Sequence, residues 1–179
     1  MNTELDLVSL LIIRRGLKHY NAYLDLNLKE DNDRDKDDIA NLADEAKETQ
    51  DLLQRVNVIY AFKHEQVYGE PPMQSSDNKP NDYKNVTDQD TKLSIKDDLL
   101  ILRGFEHYKT HLFSEIERLN DEQDDVDDDS DRYDEIEDEI ADLVDDADKA
   151  SNVIRFVDEI YSYKYEQEYG EPPIPVRKT

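Results

Sequence analysis

Carboxylates dominate the chemistry this sequence can offer. Between Asp121 and Asp148, 17 of 28 residues are Asp or Glu, and Arg132 is the one base. Alternating acids suggest calcium first, because Asp31, Asp33 and Asp35, and again Asp127, Asp129 and Asp131, are spaced like a metal loop. A helix-loop-helix calcium site also needs glycine at its sixth position and a bidentate glutamate at its twelfth. Lys36 and Leu42 stand there in the first run, Arg132 and Asp138 in the second, so only weak, adventitious binding is compatible with the pattern. Paired acids on bundle helices occur in magnesium-dependent nucleotide pyrophosphatases and di-iron proteins, and Glu135 with Asp138 and Glu139 with Asp142 have that form. Di-iron bundles use an inward Glu-x-x-His pair, which neither copy of the second helix described below contains.

His107 and His111 lie four apart, the spacing at which two imidazoles on one helix can share zinc. The related stretch upstream has His19 but Tyr23, so a surface histidine is the simpler account. Cysteine is absent and only four glycines occur, which removes thiol chemistry and phosphate-cradling loops. No nucleophile with its base is visible. The expectation is a protein without enzymatic activity, cofactor or metal.

A third use of carboxylates is imitation. Asp134, Glu135, Asp138, Asp142, Asp145 and Asp146 fall about one helical turn apart, outside an apolar stripe of Ile136, Ile140, Leu143 and Ala147. With Asp124, Asp125, Asp127, Asp128, Asp129 and Asp131 before them, they are the expected partner-binding set. Regularly held carboxylates can occupy the Lys and Arg side chains that ordinarily hold phosphates. A solvated acidic face that keeps the chain soluble is the plainer explanation of the same run.

The whole chain is acidic too: 46 Asp and Glu against 22 Lys and Arg give a net charge of −24 over 179 residues. Such a charge repels nucleic acid and anionic lipid. The longest aliphatic run, Leu10 to Ile13, is far below the ~20 residues of a membrane span, and no basic, apolar leader precedes it. The expectation is a soluble cytoplasmic protein.

What positions these groups is a repeat. Residues 11–24 and 99–112 match at 7 of 14 positions at an offset of 88, and residues 39–72 match 140–173 at 16 of 34 positions at an offset of 101. The offsets differ by 13, so the second copy holds a 13-residue insertion in its most acidic part.

Each copy reads as two helices. Leu10, Ile13, Leu17, Tyr20, Leu24 and Leu28 recur at helical steps, as do Ile101, Phe105, Tyr108, Leu112, Ile116 and Leu119. The second helix carries Ile39, Leu42, Ala46, Leu53, Val56 and Tyr60, matched by Ile140, Leu143, Ala147, Ile154, Val157 and Tyr161. Ser94 with Asp97, and Thr3 with Asp6, form starting caps. Gly69 and Gly170, each followed by Glu-Pro-Pro, form stops. The helices are expected to run about 25 and about 30 residues, roughly 38 and 45 Å.

The fold class expected is all-α, with internally duplicated helical hairpins forming an antiparallel four-helix bundle with acidic connecting segments. The first hairpin spans 1–73, a polar linker 74–91, and the second hairpin with its acidic insertion 92–179. An exchanged homodimer satisfies the same pattern.

Gly16 and Gly104, inside the first helix of each copy, point to a close helix crossing. Around them lie Arg15, His19, Tyr20, Arg103, His107 and Tyr108, with Tyr60, Lys63, Tyr161 and Lys164 on the second helices. This repeated polar set is expected to be a structural network rather than a ligand pocket. Lys63 and Lys164 would run their stems along the core.

Three functions are compatible with these features. The first is a nucleic-acid mimic that competes with DNA or RNA for a basic groove on a nuclease, restriction enzyme, CRISPR effector or DNA-binding regulator. The second is an immunity or antitoxin-like protein anchored by aromatics such as Tyr133, Tyr161, Tyr163 and Tyr165. The third is a metal- or nucleotide-binding helical-bundle enzyme, which would need inward-facing acids.

Overall fold

The structure, a computed structural model, describes residues 4–30, 35–70, 72, 86–87, 91–126 and 130–173. These form four helices: α1 (Leu7–Glu30), α2 (Lys36–Tyr68), α3 (Ile95–Asp124) and α4 (Asp131–Tyr169). The chain is all-helical, and its helices pack as a bundle.

Each helix begins where a side chain satisfies its free N–H groups. Asp6 accepts from Ser9 N at 2.7 Å at the head of α1, and Asp35 accepts from Asp37 N at the head of α2. Ser94 and Asp97 cap each other reciprocally at α3, and Ser130 accepts from Tyr133 N at α4. Thr3, expected to share the first cap, lies outside the described residues. Gly69 and Gly170 end α2 and α4 at φ 75° and 76°, each donating its N–H to a glutamate carbonyl one turn back, Glu65 or Glu166. A side chain is strained in that left-handed region and glycine is not.

One core joins all four helices. Leu10, Ile13 and Leu17 of α1, Leu52 and Val56 of α2, Ile101 and Phe105 of α3, and Ala150 and Val157 of α4 belong to the same buried cluster. On the second helices Ala46, Val56, Ala147 and Val157 are buried as the spacing predicts, but the middle of the stripe runs one residue off the expected line. Leu52 and Val153 are buried while Leu53 and Ile154 are only partly so, and Ile39 is exposed. Taking a seven-residue step from Ala46 to Leu53 picked the margin of a face whose centre is Thr49, Leu52, Val56 and Ile59.

α1 packs against all three other helices. α2 runs opposite to α3, since Glu45 meets Arg103 while Arg55 meets Asp97, and opposite to α1, since Arg14 meets Tyr60 while Tyr20 meets Glu45. So α1 and α3 run parallel, and their point of closest approach is glycine. A Cβ built on Gly16 would meet the Phe105 ring at 3.2 Å, and one built on Gly104 would meet Tyr20 Cβ at 3.5 Å.

The helices overrun the expected connections. Residues 36–38, beside the first acidic connection, are helical, and the acids 121–124 and 131–148 lie on α3 and α4. Residues 31–34 and 127–129 fall outside the described residues, as does most of the linker 74–91. α3 and α4 have 30 and 39 residues against 24 and 33 in α1 and α2. Both helices of the second hairpin are thus six residues longer than those of the first. Leu119 and Ile136 bury themselves in that extension, and Arg132 ties α4 to Glu122 of α3 at 2.6 Å.

An interior glycine is worth about 1 kcal/mol less than alanine in a helix. Gly104→Ala should recover most of this, since its new methyl finds ordinary contact distance. Gly16→Ala should fall below the parent in stability, because its methyl presses on a Phe105 ring that has no room to swing out of the core. Urea unfolding of the two variants checks the order.

Candidate functional surface

Outside the apolar face of α4, Asp134, Asp138 and Asp142 are exposed and step along one side of the helix. At 1.5 Å per residue each four-residue step is about 6 Å. The remaining members of the expected set divide in three. Asp127, Asp128 and Asp129 lie outside the described residues. Asp124, Asp125 and Asp131 are exposed at the facing ends of α3 and α4.

Glu135, Asp145 and Asp146 already have cationic partners. Glu135 and Glu139 accept from Arg132 at 3.3 and 3.1 Å, and Asp145 pairs with Lys149. Asp146 corrects the expectation of an outward ridge, since its half-buried carboxylate accepts two bonds from Arg15 Nη1, at 2.8 and 2.7 Å. The reason is position. Asp146 sits on the flank of α4 that meets α1 rather than on the solvent side. Arg132 braces this part of α4 from below, holding Glu122 below the usual carboxylate range and being itself held more firmly protonated.

Asp146 belongs with the repeated polar residues, and the sequence set omitted its equivalent, Glu45. Arg15 of α1 reaches Asp146 of α4, while Arg103 of α3 reaches Glu45 of α2 at 2.9 Å. Tyr20 donates to Glu45 at 2.9 Å and Tyr108 to Asp146 at 3.4 Å. Each carboxylate therefore takes a tyrosine from its own hairpin and an arginine from the other. Aspartate is one methylene shorter than glutamate, in keeping with the longer of the two tyrosine bonds. Burial, and then the neighbouring carboxylate, push both phenols up.

The histidines complete the crossing. His19 stacks on His111 at 4.4 Å and Tyr23 lies 4.3 Å from His107, a second reciprocal exchange. His107 is only half-exposed, so it is not the simple surface histidine the sequence suggested. Both residues of the proposed zinc pair are engaged with rings of α1. Among the described residues no three His, Asp or Glu side chains are grouped to hold a metal ion. Burial lowers the His19 pKa first, and the charges of His111 and His107 lower it further. On α2, Tyr60 lies beneath the Arg14 guanidinium at 5.0 Å, and Lys63 is half-buried.

Lys164 does more than pack. Its ammonium donates to Leu93 O at 2.8 Å and to Asp98 at 2.6 Å. Asp98 and Asp97 are 2% and 4% exposed, and Asp97 is held by Arg55. Sequence reasoning missed Asp98 as a buried acid, although a signal was present: at the offset of 88 it takes the place of the core residue Leu10. Burial raises the Asp98 carboxyl to about 6 despite Lys164. Asp97 stays below the usual range: burial opposes this, and hydrogen bonds from Arg55 and Ser94 outweigh it.

No described helix is long and apolar enough to cross a membrane. Comparison of the chain with protein families, curated proteins and solved structures finds no match.

Two outcomes test this geometry. Tyr20→Phe removes a hydrogen bond to a charged acceptor and should cost about 1.5–3 kcal/mol in unfolding free energy. Tyr108→Phe, whose bond is longer, should cost less. For Asp98 the folded pKa is raised, so the folded state keeps a proton that the unfolded chain releases between about pH 4 and 6. Its contribution to stability should therefore decline as pH rises through that window. Urea titrations of wild type and Asp98→Asn at pH 4 and 6 should differ in that sense, and the Asp98 carboxyl carbon resonance should titrate with a midpoint near pH 6.

Proposed function

We propose that the protein is an acidic nucleic-acid mimic, competing with DNA or RNA for a basic groove on a partner protein that binds nucleic acid. One observation carries this reading: Asp134, Asp138 and Asp142 stand in an exposed row on a helix braced against its neighbour by Arg132. The row sets one carboxylate per helical turn, a step of about 6 Å, and so offers a regular succession of negative charges as a nucleic-acid strand does. A stiff row presents its charges without the ordering penalty a disordered acidic tail would pay on binding. The net charge of −24 adds long-range attraction toward a basic groove. The partner class, a nuclease, restriction enzyme, CRISPR effector or DNA-binding regulator, follows from the chemistry of such grooves. Direct binding to nucleic acid is disfavoured by the same charge.

An immunity-type protein, anchored through aromatics on one toxin, is the second reading. Tyr163 at 40% exposure and the half-buried Tyr133, Tyr161 and Tyr165 favour it. Salt separates the two, because exposed charge contacts weaken as ions screen them and aromatic anchoring does not.

Affinity capture from lysate at low salt should retain a basic nucleic-acid-binding protein that elutes with added salt and with competing DNA. Replacing Asp134, Asp138 and Asp142 by Asn should abolish retention with helicity and unfolding midpoint unchanged. Asp146 is left intact in this variant, since it holds Arg15. Retention that survives the triple substitution would remove the row from the mechanism.

A further inference from the structure

The last two turns of α2 and of α4 carry aromatic ladders at matching positions. On α2, Tyr60, His64 and Tyr68 follow at four-residue steps, with ring centroids 5.7 and 4.6 Å apart and planes tilted by 55° and 46°. On α4, Tyr161, Tyr165 and Tyr169 stand 101 residues further on, at 5.8 and 4.5 Å and tilts of 50° and 41°. The two ladders are near copies in geometry.

They differ in what covers them. The Arg14 guanidinium lies 5.0 Å from the centre of the Tyr60 ring. Its counterpart at the offset of 88 is Leu102, which packs against the core. Among the described residues no cation lies over Tyr161, Tyr165 or Tyr169. The second ladder therefore repeats the ring geometry of the first without a guanidinium from the described residues over it. Its surroundings favour a cation: Asp158 raises the Tyr161 phenol, after burial and Tyr165, and Glu168 is the main group raising that of Tyr169. Tyr169 is 56% exposed, so the end of the ladder is open to solvent.

We propose that the Tyr161–Tyr165–Tyr169 ladder docks an arginine side chain of the basic partner, its guanidinium lying over a tyrosine ring as Arg14 lies over Tyr60. This rests on the reading above that the partner is basic, and it adds to the charge of the acidic row a preference for arginine over lysine that comes from the rings. A planar guanidinium stacks on an aromatic face and is weakly hydrated, whereas an ammonium keeps its water. The row attracts either cation, and the ladder adds an aromatic face on which a guanidinium stacks.

The test titrates the full-length protein with hexa-arginine and hexa-lysine peptides at one salt concentration, following tyrosine ring resonances. Hexa-arginine should bind about fivefold more tightly than hexa-lysine and shift the rings of Tyr161, Tyr165 and Tyr169. Tyr165→Leu with Tyr169→Leu should bind both peptides alike while keeping salt-sensitive affinity. Leu102→Arg, which supplies an internal guanidinium, should also erase the preference with all tyrosines present, so loss of fold in one variant does not decide the matter.

Equal affinities for the two peptides in the wild type, or shifts confined to α4 around Asp134 to Asp142, would overturn the proposal. So would ring shifts that follow protein concentration without peptide, which would assign the ladder to a second copy. The Asp134, Asp138 and Asp142 to Asn variant separates the two ideas. It should lose overall affinity for both peptides and keep their ratio; a ratio that collapses to one would place the arginine preference on the row and sink the ladder.

Discussion

The close approach of α1 to α3 is the constraint from which the rest of the structure follows. Two glycines let these helices meet, with Phe105 against Gly16 and Tyr20 against Gly104. At that distance each helix can send an arginine past its neighbour to a carboxylate on the opposite hairpin. Arg15 to Asp146 and Arg103 to Glu45 are the result. Tyrosines fix the same carboxylates from the near side. A buried or half-buried charge is tolerated when it is paired and hydrogen-bonded, and here each of the two acids has both. The crossing therefore does for specificity what the apolar core cannot do alone. It fixes which face of each hairpin turns inward, and so which acids are left outside.

Much of this arrangement was legible in the sequence because it depends on local period and on repetition. Helix stops at Gly69 and Gly170, the cap at Ser94 and the inward line of α1 and α3 follow from spacing, and glycine at 16 and 104 signals a close approach. What the sequence concealed depends on which side of a helix meets which neighbour. Asp142 and Asp146 differ by four positions and look alike in a pattern, but one faces water and the other faces Arg15. The middle of the stripe on α2 and α4, at Leu53 and Ile154, lies one residue off the buried line for a related reason. Leu52 and Leu53 are equally apolar, and only packing against α1 and α3 chooses between them.

The two hairpins are alike at the crossing and unlike at their ends. Where the first has Leu10 in the core, the second has Asp98, held by Lys164, and beside it Asp97, held by Arg55. A hydrophobic pair of similar volume would often serve stability as well or better. The buried acids instead tie three elements together: the start of α3, the end of α4 and the middle of α2. Asp97 pins one hairpin to the other through Arg55, and Asp98 ties the two helices of the second hairpin through Lys164.

The lengthened α3 and α4 break the equivalence of the hairpins at the other end. With Gly16 and Gly104 level, α3 passes the end of α1 by about six residues and α4 begins about six before α2, a projection of about 9 Å. A frame with two like halves would offer two like tips and accept two visitors. Here the described residues give one end of the bundle a projecting anionic tip that the other end lacks, so the two ends are not interchangeable surfaces.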